Sequence, residues 1–294
     1  RQSFEIEGYL EVRWNDPRLT FDADAFGAPI KAYHEERARE RFGEEMWWPS
    51  IELVNALGGG TLDRHLLQVG ADGEVAYTAR FNATVSSTMD LRKFPFDAQS
   101  LQIPIESYFH PIEEMRFTIN QDGTGFDETY PLPDWSVSRV TTALGVKDYG
   151  QAGDFYGKFS RFTFHIEIRR QWGFYLWKVF LPLLMILACS WTVFWIRDLE
   201  TNIMIAFTVL LTVVAFNLGI ADTLPRVPYL TFMDAVMVVS YAGVFLSLVV
   251  IMAGHKLERE DRCDAALRLQ GISRWAFPLG LLAALLLIAA AYLH

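Results

Sequence analysis

The chain has 294 residues, of which 51% are hydrophobic and 14% aromatic, and its mean hydropathy of +0.16 is high for a soluble protein of this length. A net charge of −9 argues against a nucleic-acid partner and favours cations nearby. The two cysteines, Cys189 in an apolar run and Cys263 in a polar one, exclude a disulfide framework.

The sequence opens at Arg1 in what already reads as a strand, so a mature or truncated chain is expected, with any targeting segment outside it. The stretch "AYHEERARERFGEE" (32–45) reads as a solvated helix. Further on, "EVAYTARFNATV" (74–85) places Val75, Tyr77, Ala79, Phe81, Ala83 and Val85 on one face, a period of two that specifies a strand. "FTFHIEIRR" (162–170) alternates in the same way. Turn signals at 71–73, 121–125 and 132–134 separate short strands, as an antiparallel β-sandwich requires. Charge divides at the same place as hydropathy. Residues 1–174 hold 27 acids and 18 bases, whereas 175–294 hold eight of each. The boundary predicted is therefore a β-domain over 1–173 and a membrane domain over 174–294.

Four apolar runs, at about 174–196, 200–221, 230–254 and 275–293, are long enough to cross a hydrocarbon core, which needs ~20 residues. Trp172, Tyr175, Trp177, Trp191 and Trp195 flank the first as an interfacial belt. The connector 255–274 carries Lys256, Arg259, Arg262, Arg268 and Arg274, which places it in the cytoplasm. The β-domain and the C-terminus then face the extracellular or periplasmic side of a cell (inner) membrane that the chain crosses several times.

The second run explains its own polar residues when wound as a helix. At about 100° per residue, Glu200, Met204, Thr208, Leu211, Ala215, Leu218 and Asp222 stay within roughly 40° of one line. Twenty-two residues cover ~33 Å, so the two acids lie at opposite interfaces. An intramembrane polar position needs protein or water in front of it, and a ring of copies about a symmetry axis supplies water. Glu200 and Asp222 then form acidic rings that attract monovalent cations, Thr208 offers hydroxyls, and Leu211, Ala215 and Leu218 form a constriction that closes by dewetting. Thr212 and Asn217 lie off this line and face neighbouring helices.

The motifs "YLEVRWNDPRL" (9–19), "FPFD" (94–97), "FYLWKVFLPL" (174–183), "SWTVFWI" (190–196), "FTVLLTVVA" (207–215), "RVPY" (226–229) and "AFPLG" (276–280) occur in order along nearly the whole chain. Together they resemble the prokaryotic pentameric ligand-gated ion channels of the Cys-loop receptor superfamily, most closely the amine-gated type exemplified in Erwinia. The resemblance implies a multi-domain membrane protein. It has an extracellular antiparallel β-sandwich of about ten strands, then a four-helix transmembrane bundle, assembled as a homopentamer among membrane lipids, with ligand between neighbouring β-domains. It implies no cofactor.

Carried over by position, the resemblance places Glu106 and Tyr108 where an agonist amine binds, with Phe159, Tyr149, Phe155 and Tyr156 as aromatic partners and Arg80 on the complementary face. An aromatic box with a carboxylate suits a cationic ligand. Asp97 and Arg170 match a coupling charge pair between the "FPFD" loop (Phe94, Pro95, Phe96, Asp97) and the membrane domain, and Pro225 and Pro228 stiffen the loop that the β-domain pushes. Met204 departs from the family, taking the place of a polar residue at the narrow inner end. Protons are the alternative gating ligand, with His65, His110 and His165 as titratable groups. A third reading is a membrane-anchored binding protein without a pore. The sequence holds no nucleophile elbow, HExxH helix, paired CxxC motifs or phosphate loop, so it is not read as an enzyme.

Overall fold

The computed structural model describes residues 3–34, 37, 46–58, 60–120, 123–127, 132–152, 155–221 and 226–293. The chain divides into two compact units. One holds Arg1–Met89, Ser100–Thr129 and Val137–Glu167, and the other Asp90–Gln99, Tyr130–Ser136 and Ile168–His294.

Among the described residues the first half folds into eight strands: β1 (Ser3–Asn15), β2 (Ile30–His34), β3 (Ile51–Leu53), β4 (Thr61–Gly70), β5 (Glu74–Ser86), β6 (Ala98–Ser107), β7 (Trp135–Ala152) and β8 (Phe155–Arg170). They form two four-stranded sheets, ordered β1-β5-β4-β2 and β3-β6-β8-β7. The alternation read from 74–85 is realised: Val75, Tyr77, Ala79, Ala83 and Val85 are buried. Leu67, Val69, Val75, Tyr77 and Ala79 make one core cluster, closed by Trp14, Leu19, Tyr33, Met46 and Trp48. Each large apolar side chain so buried contributes roughly 1.5–3 kcal/mol. The turn at 71–73 closes the β4–β5 hairpin on Gly73, whose φ of +87° and a neighbouring Asp16 carbonyl 2.7 Å from any added Cβ leave room for glycine alone. The expected helix at 32–45 needs correction at its start. Ala32–His34 belong to β2, paired with Leu66–Gln68 of β4, because Ala32 and Tyr33 extend a strand already begun at Ile30. Of the rest, all but Arg37 lie outside the described residues.

The second unit carries four helices long and apolar enough to cross a membrane: α1 (Gly173–Trp195), α2 (Leu199–Ile220), α3 (Phe232–Arg259) and α4 (Cys263–Leu293). α1 widens to π register at Leu176–Phe180, just before Pro182, whose ring nitrogen offers no N–H. Asp198 caps α2 by accepting from Thr201 N, and Thr231 and Asp234 form a reciprocal capping box on α3.

The expected connector at 255–274 is shorter than its charges implied. α3 runs on to Arg259 and α4 begins at Cys263, leaving a break of three residues at which Asp261 adopts φ +57°. Charged residues end burial in lipid but not a helix. Leu, Lys, Glu and Arg are good helix formers, so both helices continue past the apolar limit.

Candidate functional site

The loop 90–99 groups with the four helices, and its side chains state why. Asp97 is 1% exposed and accepts from Arg170 Nε at 2.7 Å and from the second guanidinium nitrogen at 3.2 Å. Gln99 Nε2 donates to the same carboxylate at 2.8 Å, and Arg170 N donates to Asp97 O at 3.1 Å. The guanidinium lies over Trp135 at 4.0 Å and Phe94 at 4.8 Å. Phe96 meets Trp172, Phe180 and Phe232, while Phe232 N donates to Arg92 O at 2.8 Å and Leu91 N to Tyr229 Oη at 3.0 Å. The predicted coupling residues Phe94, Pro95, Phe96, Asp97 and Arg170 are thus one packed assembly. Pro228 is exposed, and Pro225 lies outside the described residues.

On α2 the predicted line separates from the packed face. Glu200, Met204, Thr208, Leu211, Ala215 and Leu218 are all exposed in the single subunit, Leu211 by 70%, whereas Asn202, Ala206, Val209 and Val213 are buried. Asp222 lies outside the described residues. Thr208 Oγ1 donates to Met204 O at 2.7 Å, so the hydroxyl hydrogen is spent within the helix and only its lone pairs face outward. Off this line, Asn217 is half-buried and lies beside Tyr241 of α3. Thr212, expected to do the same, is exposed and donates instead to Thr208 O at 2.7 Å.

In the β-domain, Glu106 at the end of β6 is 3% exposed, and its carboxylate accepts from Tyr149 Oη at 2.7 Å and forms an ion pair with Arg161 of β8. Glu52 of β3 is its register partner across the sheet. Burial, and then the Glu106 charge, push the Glu52 carboxyl above its usual range, while burial followed by the Glu106 hydrogen bond raises the Tyr149 phenol. Phe159, at 6% exposure, is a core residue that supports Tyr149 edge-on at 5.9 Å. Tyr108 is exposed and packs edge-on against Phe109. Arg80 pairs with Glu7 of β1. Phe155 and Tyr156 lie on β8, but their side chains are outside the described residues.

Among the histidines, His65 is buried with Nδ1 2.7 Å from Tyr77 Oη. His110 has Nε2 2.9 Å from Trp48 O and Nδ1 3.0 Å from Glu114, with the Trp47 ring tilted against it at 5.0 Å.

The profile described as "Neurotransmitter-gated ion-channel ligand binding domain" matches residues 1–172, and that described as "Neurotransmitter-gated ion-channel transmembrane region" matches 179–265. The chain belongs to the neurotransmitter-gated ion-channel family. Within it, the chain is 28% identical over 288 residues to a proton-gated ion channel of Gloeobacter violaceus, covering 98% of this chain and 77% of that protein. It is 28% identical to a gamma-aminobutyric acid receptor beta subunit of Caenorhabditis elegans, over 83% of this chain and 44% of that subunit. Its identity to the Bos taurus rho-2 subunit is also 28%, over 88% of this chain and 56% of that subunit. The chain thus spans about half the length of these animal relatives. Family membership makes the first half an extracellular-type ligand-binding domain and the second a membrane-embedded bundle of four spans.

Two site residues escape sequence reasoning. Arg161 shares a strand face with Phe159, two residues earlier, and that alternation was a usable signal. Glu52 has none, because only the β3–β6 register brings it to Glu106. Its raised pKa has a consequence for stability. A carboxyl raised in the folded state contributes stability that is present below the usual value of about 4.3 and lost as pH rises through the higher folded value. Glu52→Gln is therefore expected to flatten the pH dependence of the thermal midpoint from about pH 4.3 upward. An unchanged profile in the variant would contradict the upward shift that burial and Glu106 impose on Glu52.

Proposed function

We propose that five copies of this chain enclose a cation-selective pore lined by α2, opened by a small amine-like ligand at β-domain interfaces around Glu106, Tyr108 and Tyr149. The observation that carries the pore is the exposed line from Glu200 to Leu218 on a helix whose other face is packed. Asp222 completes the outer acidic ring in this reading. For the ligand, the support is the pair of carboxylates, Glu52 and Glu106, beside the Tyr149 ring, over which the Lys147 ammonium already lies at 5.8 Å, the kind of contact an amine ligand makes. In this reading Phe155 and Tyr156 belong to the aromatic set by their place in the sequence, Phe159 backs it, and Arg80 belongs to the adjoining face.

A second reading, opening by protons, is favoured by His110. Its two ring nitrogens lie 2.9 Å from the Trp48 carbonyl and 3.0 Å from the Glu114 carboxylate. The Gloeobacter relative is itself a proton-gated channel. Ion flux through the reconstituted protein, recorded over a pH series and then with primary amines at fixed pH, separates the two. Amine-evoked flux at neutral pH is expected. Full opening by acid alone, abolished in His110→Phe, would replace the amine reading with the proton one.

A further inference from the structure

One side chain on α2 is left unexplained by the passage of simple cations. Met204 stands one turn after Glu200 and one turn before Thr208 on the exposed line, and it is itself 61% exposed. Its carbonyl accepts from Thr208 Oγ1 at 2.7 Å, so what it offers outward is a thioether, the one sulfur on this helix. A leucine or alanine at that level would serve a dewetting constriction, and a hydroxyl would serve ion passage. A thioether adds a different property, affinity for soft metal ions and indifference to hard ones.

A single thioether is a weak ligand, and among the described residues no three His, Cys, Asp or Glu side chains gather to hold a metal. Repetition about an axis changes this, a step that rests on the pentameric pore proposed above. Five helices at interaxial spacings of ~10 Å place each helix centre ~8.5 Å from the axis and an inward Cα atom ~6 Å from it. A methionine side chain spans most of that distance, and its flexibility lets sulfurs from several subunits turn toward one axial ion. The Glu200 ring lies one turn away and draws cations of every kind to this level. Its carboxylates are hard donors, so the choice among those cations falls to the sulfurs. Sodium and potassium find no partner in a thioether and pass. A soft ion is held by several sulfurs at once, and an ion held firmly at a narrow level stops those behind it.

We propose that the Met204 ring is a binding site for soft monovalent metal ions, at which copper(I) or silver(I) blocks the pore. The site lies on α2 alone and is independent of which ligand opens the channel. Other sulfurs compete for the same ions: Cys189 and Cys263 are free and exposed, and Met185 and Met252 are exposed on α1 and α3. Only Met204 lies on the line that faces the axis in the proposed pore.

The test is potassium flux through the protein in phosphatidylcholine vesicles, in chloride-free nitrate buffer, with Cys189→Ser and Cys263→Ser introduced so that no thiolate competes. Flux is first evoked by amine or by acid, and silver nitrate is then added at micromolar concentration. A fall of about tenfold is expected, the loss that follows when silver stands at about ten times its Kd, with recovery on adding excess free methionine. Met204→Leu, a swap of similar volume at an exposed position, should keep most of its own silver-free flux under the same silver. Native mass spectrometry should count one silver ion fewer on the variant pentamer, a readout that needs no current. Evoked flux that silver leaves untouched, block that is equal in Met204→Leu, or equal silver counts overturn the proposal. A protein that neither amine nor acid opens before silver is added counts against the pore itself and takes the proposal with it, so the flux recorded first tells the two failures apart.

Discussion

Arg170→Ala is expected to abolish evoked current and to lower the thermal midpoint of the protein, because it strands the Asp97 carboxylate where water does not reach. Asp97 is among the most enclosed side chains in the molecule, and Arg170 satisfies both of its oxygens while lying between Trp135 and Phe94. Removing one partner of such a pair costs about 3–5 kcal/mol, whereas an exposed pair would be worth less than ~1 kcal/mol. Arg170→Lys should fail nearly as badly, since an ammonium neither forks onto a carboxylate nor stacks between rings. Asp97→Asn combined with Arg170→Gln should recover part of the stability by leaving no charge unpaired. The current should not return, because the loop 90–99 would then lose its grip on the end of β8 that leads into α1. Size-exclusion profiles and thermal midpoints report the first effect, and reconstituted flux the second. Wild-type values of both in Arg170→Ala would show that the pair is ornamental to gating and folding alike.

What the sequence made legible follows from the range over which each signal acts. Period-two burial in β5 and the apolar runs of α1 and α2 are local, and they were read to within a few residues. The ends of α3 and α4 were misplaced because apolar length measures the lipid, and a helix rich in Leu, Glu and Arg does not stop where lipid does. The coupling pair was legible through its motif, and Phe94 and Gln99 lie within three residues of Asp97, whereas Trp135 comes from the start of β7 and no local signal brings it to Arg170. The candidate ligand site shows the same limit more sharply. Glu106 and Tyr149 were identified singly and alternation from Phe159 reaches Arg161, but Glu52, the second carboxylate, depends on strand register.

Shortening Leu211 to alanine is expected to produce the largest change in ligand sensitivity of any substitution on α2. Leu211 stands one turn beyond Thr208 on the exposed line, with Met204 before it and Ala215 and Leu218 after it. In the proposed pentamer five copies meet at one level, so any difference between closed and open surroundings is multiplied by five. Burying a leucine side chain is worth roughly 2 kcal/mol. If a quarter of that distinguishes the dewetted closed pore from the open one, five copies shift the equilibrium by ~2.5 kcal/mol, or roughly 70-fold toward opening. A leftward displacement of the ligand response by one to two orders of magnitude, or flux without ligand, is the expected reading. Glu200→Gln supplies the complementary test. It leaves the apolar line intact and removes a ring of charge from the inner end, so ligand sensitivity should hold while the reversal potential in a salt gradient moves toward that of a non-selective pore. Were Leu211→Ala to leave flux and ligand response untouched, the exposed face of α2 would be a lipid or protein contact and the reading of a pore on this helix would fall.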